Sequence, residues 1–391
     1  MATCLSVFSK FKCQLLALWF IRGVMPSLRL VLSRLSEDLL LLILMLALIP
    51  LLWRQPELVP ELPGFIDWHT LTALAGLMLL SRGLEDSGYL TRFAGGLVSR
   101  SYSLRAVALT LVMFAALLSA VVTNDVALFI LVPVCLSVAK LTGVPVGRLV
   151  IFLALAVNAG SAVSPVGNPQ NLLLWQASGY SFGQFMLMMA PLTVLLMAVL
   201  LLFTWQAFSP AVLRFSTAWD TKPARPWLFR CSLLGYPLFI VAMEYGFAPE
   251  AAVLIFCGYL LCCRQVLWGI DWLLLLVFTL MFVDLGLLAR LPVMAEWVNT
   301  LQTLPGSDYT ATALISQLIS NVPAAIFMQH FSDDWRALSW GASVGGFGIV
   351  VGSLANLIAL RLAKQPGLWR EFHLWSLPVF FISFVLGWLL L

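Results

Sequence analysis

An all-α polytopic membrane protein made of two inverted repeats is the fold this sequence predicts, and three observations predict it. Of its 391 residues, 61% are hydrophobic and only 10% charged, against about 25% charged in an ordinary soluble domain. Apolar runs such as 39–52 and 186–203 are continuous rather than alternating. Backbone polar groups cannot be left bare in hydrocarbon, so spans are helices or a closed barrel, and continuity excludes the barrel. Finally, Thr123-Asn124-Asp125, a polar break within an apolar run, recurs 197 positions later as Ser320-Asn321-Val322. The expected architecture is about nine full spans plus two re-entrant hairpins. Each repeat holds one hairpin and one discontinuous helix, with the N-terminus inside and the C-terminus outside.

The elements follow in order. Residues 1–36 form a basic, amphipathic tail (Lys10, Lys12, Arg22, Arg29, Arg34) expected on the cytoplasmic membrane surface. Its charges are too closely spaced for a signal peptide. Met25 is an alternative start, which N-terminal peptides from residues 2–24 would rule out. Residues 37–65 hold the first span and a Pro-rich outer loop. The first repeat, 66–206, contains a span at about 68–84, an interfacial helix at 88–101 and the apolar stretch 105–139. It continues with a span at 149–178 interrupted by Ser164-Pro165-Val166-Gly167-Asn168-Pro169-Gln170-Asn171, and a long span at 182–206. A cytoplasmic loop (207–230) and connecting spans (231–269, at about 231–247 and 251–268) lead to the second repeat, 270–391. That copy holds a span to about 289, an amphipathic piece at 291–304, a hairpin at 309–332, a broken span at 337–363 and a final span at 374–391.

Orientation follows from Lys and Arg, which favour the cytoplasmic side. With the N-terminus inside, only Arg54, Arg290 and Arg336 of the 22 basic residues fall outside. The seven cysteines are scattered without a CxxC pair, and the three histidines (His69, His330, His373) are far apart, so neither a disulfide framework nor a metal centre is expected. No cofactor is expected. The lipid bilayer and a small solute are the expected partners, with a homodimer as the candidate assembly, and nothing points to nucleic acid.

The repeat rests on five ordered matches. Ile66-Asp67-Trp68 recurs as Ile270-Asp271-Trp272, and Met78 with Gly83-Leu84 as Met281 with Gly286-Leu287. The Thr-Asn and Ser-Asn tips follow. Then Gly167-Asn168-Pro169-Gln170-Asn171 matches Gly352-Ser353-Leu354-Ala355-Asn356, and Pro191 matches Pro378. The first copy begins outside and the second inside, so the copies are inverted, an arrangement common among secondary transporters. Segments 309–320 and 322–332 are each too short for a span of about 20 residues, which makes them arms of a hairpin entering from outside. Symmetry then makes Thr123-Asn124 the tip of one entering from the cytoplasm.

Two tips and two broken helices bring irregular backbone to membrane depth, where it is tolerated only around a cavity or within protein. Helix N-termini there offer N–H groups to an anion, and unwound carbonyls can hold a cation. Pro165, Gly167, Pro169, Pro323, Gly345, Gly346, Gly348 and Gly352 supply the breaks. The candidate binding residues for substrate or ion are Thr123, Asn124, Asp125, Gly167, Asn168, Asn171, Ser320, Asn321, Gly352, Ser353 and Asn356. Asp125 is either a coupling carboxylate for H⁺ or Na⁺ or a cap on the next half-helix. Asp284, deep in its span and aligned with Ser81, is either a coupling group or half of a structural pair. Glu244 and Glu250 belong at the outer rim. Gly341-Ala342-Ser343-Val344-Gly345 fits GxSxG, but a nucleophile elbow needs a strand–turn–helix setting and a His/Asp partner, so an enzyme is not expected. No Walker A motif is present.

Several of these stretches together resemble a known group. Thr123 to Ile130, Ala156-Val157-Asn158-Ala159-Gly160-Ser161, Pro165 to Asn171, Ser320-Asn321-Val322-Pro323 and Gly352 to Asn356 look like the ion transporter superfamily. The likeness is to its arsenite-permease and citrate-transporter-like branch and covers nearly the whole chain after residue 36. It implies a scaffold and a transport unit with two hairpins, a site between hairpin tips and broken helices, elevator-like alternating access, and a multi-pass place in the bacterial inner (plasma) membrane. Members move anions such as dicarboxylates, citrate or arsenite, or exchange Na⁺ for H⁺. Where the Na⁺/dicarboxylate pattern has Ser-Asn-Thr at both tips, this chain has Thr-Asn-Asp and Ser-Asn-Val. The leading expectation is a secondary permease of a small anion coupled to H⁺ or Na⁺. A cation/proton antiporter using Asp125, or the membrane subunit of an ATP-driven anion pump, are the alternatives.

Overall fold

The computed structural model describes residues 39–99, 101, 103–142, 146–212, 224–365 and 367–391. The basic tail, with its alternative start at Met25, lies outside the described residues, as do residues 213–223 of the 207–230 loop. Backbone contacts gather the chain into two units, 1–60 and 61–391. In the first, α1 (Leu39–Arg54) is a 16-residue apolar helix that carries Pro50.

The second unit is helical throughout. Its described residues form α2 (Leu62–Phe65), α3 (Trp68–Asp86), α4 (Tyr89–Ser99), α5 (Leu104–Val121), α6 (Asn124–Thr142), α7 (Val146–Ser161), α8 (Pro169–Ser178) and α9 (Phe182–Ala207). After the loop come α10 (Pro226–Glu244), α11 (Ala248–Cys262), α12 (Arg264–Gly269), α13 (Trp272–Ala289) and α14 (Pro292–Gln302). The chain ends with α15 (Ser307–Ile319), α16 (Asn321–Met328), α17 (Trp335–Gly345), α18 (Leu354–Ala363) and α19 (Leu368–Leu390). Among the described residues no strand forms; one antiparallel bridge joins Ser103 to Val212.

Capping chemistry places the boundaries. A short polar side chain at the N-cap satisfies one of the first orphan N–H groups of a helix. Asp67 accepts from Thr70 N (3.0 Å) and Asp271 from Leu274 N (3.1 Å), so the matched Ile-Asp-Trp triplets start α3 and α13 in the same way. Ser181 and Gln184 close a reciprocal capping box on α9. Gly179, at φ 69°, ends α8 in the left-handed conformation that glycine adopts without steric cost. The span expected at about 251–268 divides at Cys263, where α11 stops and α12 begins.

Among the described residues five helices, α5, α9, α10, α13 and α19, are each long and apolar enough to cross a membrane by themselves. Large apolar side chains such as Leu187, Leu234, Leu238, Leu254, Leu261 and Leu374 stand exposed, as a lipid-facing surface requires and a water-facing one does not tolerate over so large a patch. The molecule is thus a helical, multi-span membrane protein. Because α5 passes the length test too, length alone does not mark the first helical pair as re-entrant.

The helices of the second unit sort into two sets by what they pack against. α2, α3, α10, α11, α12 and α13 pack among themselves, and so do α5–α9 with α15–α19. The sets meet where α3 packs on α6 and α8 and where α13 packs on α16, while the short helices α4 and α14 contact both. Inside the larger set the packing is crossed: α6 lies against α18, and α16 against α8.

Candidate functional site

Four irregular stretches lie inside the larger set. They are Val122–Thr123 between α5 and α6, residues 162–168 between α7 and α8, Ser320 between α15 and α16, and residues 346–353 between α17 and α18. All are short because glycine, proline and asparagine interrupt runs that are otherwise uniformly helix-forming.

The first tip docks on the break that follows it in the chain. Asn124 N donates to Gly167 O (3.2 Å). With its carboxamide turned so that the nitrogen faces the surrounding oxygens, Asn124 donates to Ser161 Oγ (2.9 Å), Gly167 O (3.1 Å) and Val157 O (3.2 Å). Gly167 is tied down by space as much as by bonding, since a Cβ there would lie 2.6 Å from Ser161 O and 2.7 Å from Ser119 O. Asn168 caps α8 by accepting from Asn171 N (2.8 Å) and donates to Ser161 Oγ (3.0 Å). Asn171 Nδ2 reaches Ala162 O (2.9 Å), Ser164 O (3.3 Å) and Ser161 O (3.4 Å). Carbonyl oxygens therefore crowd this half, and two side-chain amides occupy them. Asp125 follows in the first turn of α6, half-buried, where free helix N–H groups favour a carboxylate.

The second tip is built differently. Ser320 sits at φ 77°, ψ 156°, a region that is essentially glycine-only and costs about 1–3 kcal/mol for other residues. No side chain caps α16, and among the described residues neither Asn321 N nor Val322 N meets an acceptor. Asn321 is 2% exposed, and its Nδ2 lies 3.1 Å from where a Cβ on Gly346 would stand. The side chain's one hydrogen bond is a long one accepted from Ser320 Oγ (3.4 Å). Donors without acceptors are what this tip presents to the interior.

The break beneath it is held from outside itself. Gln317 of α15 donates to Gly345 O (2.8 Å) and Phe347 O (3.1 Å) and accepts from Ile349 N (3.0 Å). From α19, Ser376 Oγ accepts from Gly348 N (3.0 Å), and His373 Nε2 accepts from Val350 N (3.3 Å). Asn158 of α7 donates to Asn356 Oδ1 (2.9 Å) and Gly346 O (3.2 Å) and accepts from Ser353 Oγ (3.0 Å). Asn356 adds a bond to Gly346 O (3.0 Å), and Ser353 caps α18 through Ala355 N (3.3 Å). Close backbone approach demands glycine at 352, where a Cβ would lie 2.6 Å from Gly345 O.

Hydrogen bonds thus bring Asn124, Gly167, Asn168 and Asn171 into one network and Ser353 and Asn356 into a second; Asn321 stands beside Gly346 outside it, Gly352 packs closely on Gly345 O, and Thr123 and Ser320 are at the tips. α7 joins them, Ser161 serving the first and Asn158 the second. Asp284 belongs to neither: it is 3% exposed on α13 with both carboxylate oxygens unpartnered, so the structural-pair alternative is not realised among the described residues. Sequence reasoning left Gln317 out, although a lone amide in an apolar hairpin arm was a usable signal. Ser161 and Asn158 stood only among the family-like residues.

The family model described as citrate transporter matches residues 27–332, which include both tips and the first break. The chain is 44% identical over 331 residues to the inner membrane protein YbiR of Escherichia coli, covering 84% of this chain and 89% of that protein. It is 28% identical over 310 residues to the uncharacterized transporter MJ0456 of Methanocaldococcus jannaschii, covering 78% and 83%. A shorter likeness, 28% over 131 residues, links 34% of the chain to 23% of the putative transporter arsB of Dictyostelium discoideum.

Proposed function

The chain belongs to the citrate transporter family and is a membrane transporter, not an enzyme, and from that premise we propose that it is a secondary permease of a small anion, driven by H⁺ or Na⁺. The observation that carries this reading is the second tip. Uncapped N–H groups of α16 and the Asn321 carboxamide form a buried set of donors with no acceptor of their own, and an anion supplies the missing acceptors. Of the candidate residues, Ser320, Asn321, Gly352, Ser353 and Asn356 form the anion side. Thr123, Asn124, Asp125, Gly167, Asn168 and Asn171 form the opposite wall. Asp125 and Asp284 are the carboxylates available for coupling.

The inverted-repeat reading draws support from chemistry repeated at matched places. Asp67 and Asp271 cap corresponding helices, as do Asn168 and Ser353. The crossed packing of α6 on α18 and α16 on α8 is what a twofold pseudo-axis in the membrane plane produces. Elevator-type movement draws support from the sparse contact between the two helix sets. Nine spans with two hairpins, the N-terminus inside and the bacterial inner membrane complete the proposal, the last in keeping with the name of the E. coli relative.

The test is uptake of radiolabelled citrate and of arsenite by proteoliposomes holding the full chain. Wild-type uptake of either, reduced at least about tenfold by Asn321→Ala, is the expected result. Full transport in both Asn124→Ala and Asn321→Ala sinks the site assignment.

A further inference from the structure

The two matched positions midway along α3 and α13 solve one problem in opposite ways. In the first copy the polar group is Ser81, whose Oγ hydrogen-bonds the hydroxyl of Tyr236 on α10. In the second copy the polar group is the carboxyl of Asp284, 3% exposed, and both its oxygens lack any hydrogen-bond partner. Being mid-helix, it has no free backbone N–H within reach, because those of α13 are spent on the helix itself. Among the described residues no cation serves it either. Of the helices packed on α13, α2 and α16 carry no charged residue, α14 carries Glu296, and α3 carries His69, Arg82, Glu85 and Asp86. Arg82 is engaged by Asp86 (2.9 Å) and Glu85 (3.5 Å), and Arg290, at the end of α13, by Glu61 (3.0 Å). His69 makes no bond to Asp284.

An ionised carboxylate with neither donor nor cation is the costliest group a low-dielectric interior can hold, and such a group takes up a proton instead. Asp125 differs from Asp284 in being half-buried and in standing at a helix N-terminus.

We infer that Asp284, on the α13 helix that packs against the second hairpin arm α16, is a proton-binding site that takes part in coupling. Its role in coupling rests on the transport reading above; its protonation does not. The step is a carboxylic acid giving up one proton to water on whichever side opens to it, and the carboxylate taking one back from the other side. Because α13 lies in one helix set and packs on α16 of the other, relative movement of the sets changes the packing around α13 and links the hydration of Asp284 to the cycle.

The protonation arm is infrared spectroscopy on the full chain in lipid at neutral pH. A buried carboxylic-acid carbonyl band is expected in wild type, kept in Asp125→Asn and Asp284→Glu, and lost in Asp284→Asn. Absence of the band in wild type, or its survival in Asp284→Asn, overturns the site. The coupling arm is uptake of citrate or arsenite driven by an imposed pH gradient or an imposed Na⁺ gradient. A pH-driven uptake lost at least about tenfold in Asp284→Asn and regained in Asp284→Glu is expected. Uptake driven by Na⁺ alone overturns the coupling role. If neither solute is carried while the band behaves as expected, the anion reading fails and the proton site stands.

Discussion

The two hairpin tips carry the same asparagine and use it for opposite purposes. Asn124 turns its backbone and carboxamide onto Gly167 O, Ser161 Oγ and Val157 O, and so closes the first half on itself. Asn321 stands beside an uncapped helix start and a strained serine, and leaves its donors unspent. The breaks below them differ in the same sense. The first is stitched by residues of its own loop and helix, Asn168 and Asn171, whereas the second is clamped by Gln317, Asn158, Ser376 and His373 from three other helices. On the proposed repeat the two halves are filled differently: the first is acceptor-rich, with Asn171 Oδ1 left unpartnered, and the second is donor-rich.

The sharpest way to break this comparison is to add one methyl group to each half. At Gly167 a Cβ meets backbone oxygens at 2.6 and 2.7 Å, which cannot yield separately. At Gly346 it meets the Asn321 side chain at 3.1 Å and Ser343 O at 3.3 Å, and the side chain can swing away. Gly167→Ala is expected to cost about 3 kcal/mol of stability, read as a lowered Tm of the detergent-solubilised protein. Gly346→Ala is expected to cost under about 1 kcal/mol and to weaken anion uptake instead. Equal losses of Tm in the two variants contradict the contrast between the halves.

A somewhat smaller effect is expected at Gln317. Its aligned position in the first copy is Ala120, so the strap has no twin. Gln317→Leu strands Gly345 O, Phe347 O and Ile349 N, at about 1–3 kcal/mol. Hydrogen exchange should speed up across residues 346–352 and stay unchanged across 162–168. Matching changes in both breaks argue against a strap confined to the second half.

The smallest effect belongs to the tip itself. Ser320→Gly removes a steric penalty at φ 77° and is expected to raise stability by about 1 kcal/mol. Thr123→Gly, at a position without a positive φ, has no such penalty to remove and is expected to lower stability. A gain in Tm from Thr123→Gly and none from Ser320→Gly reverses the assignment of strain.

Much of this frame was legible in the sequence, since caps, glycines and prolines act locally. Asp67 and Asp271 start their helices where the Ile-Asp-Trp triplets stand, and α7 and α17 stop where glycine and proline accumulate. What the residues could not disclose depends on partners far along the chain. Asn158 looked like one more polar residue in an alanine-rich helix, because its partners Gly346 and Asn356 lie 188 and 198 positions away. The strain at Ser320 is invisible in a motif that reads Ser-Asn at one tip and Thr-Asn at the other, since the dihedral is imposed by how α15 and α16 pack. The division of the span at Cys263 had no Gly or Pro to announce it.

If the second tip holds the anion while the first tip holds the fold, substitutions at the two asparagines must separate binding from stability. The pair of measurements that decides this is KM for anion uptake and Tm, on Asn321→Ala and Asn124→Ala in the full chain. For Asn321→Ala the expected result is a KM raised at least about tenfold, worth about 1.4 kcal/mol, with little change of Tm. For Asn124→Ala it is the larger fall in Tm, from about 1–3 kcal/mol of lost hydrogen bonding, and the smaller change in KM. An unchanged KM in Asn321→Ala, with the rise appearing in Asn124→Ala instead, contradicts this division of labour.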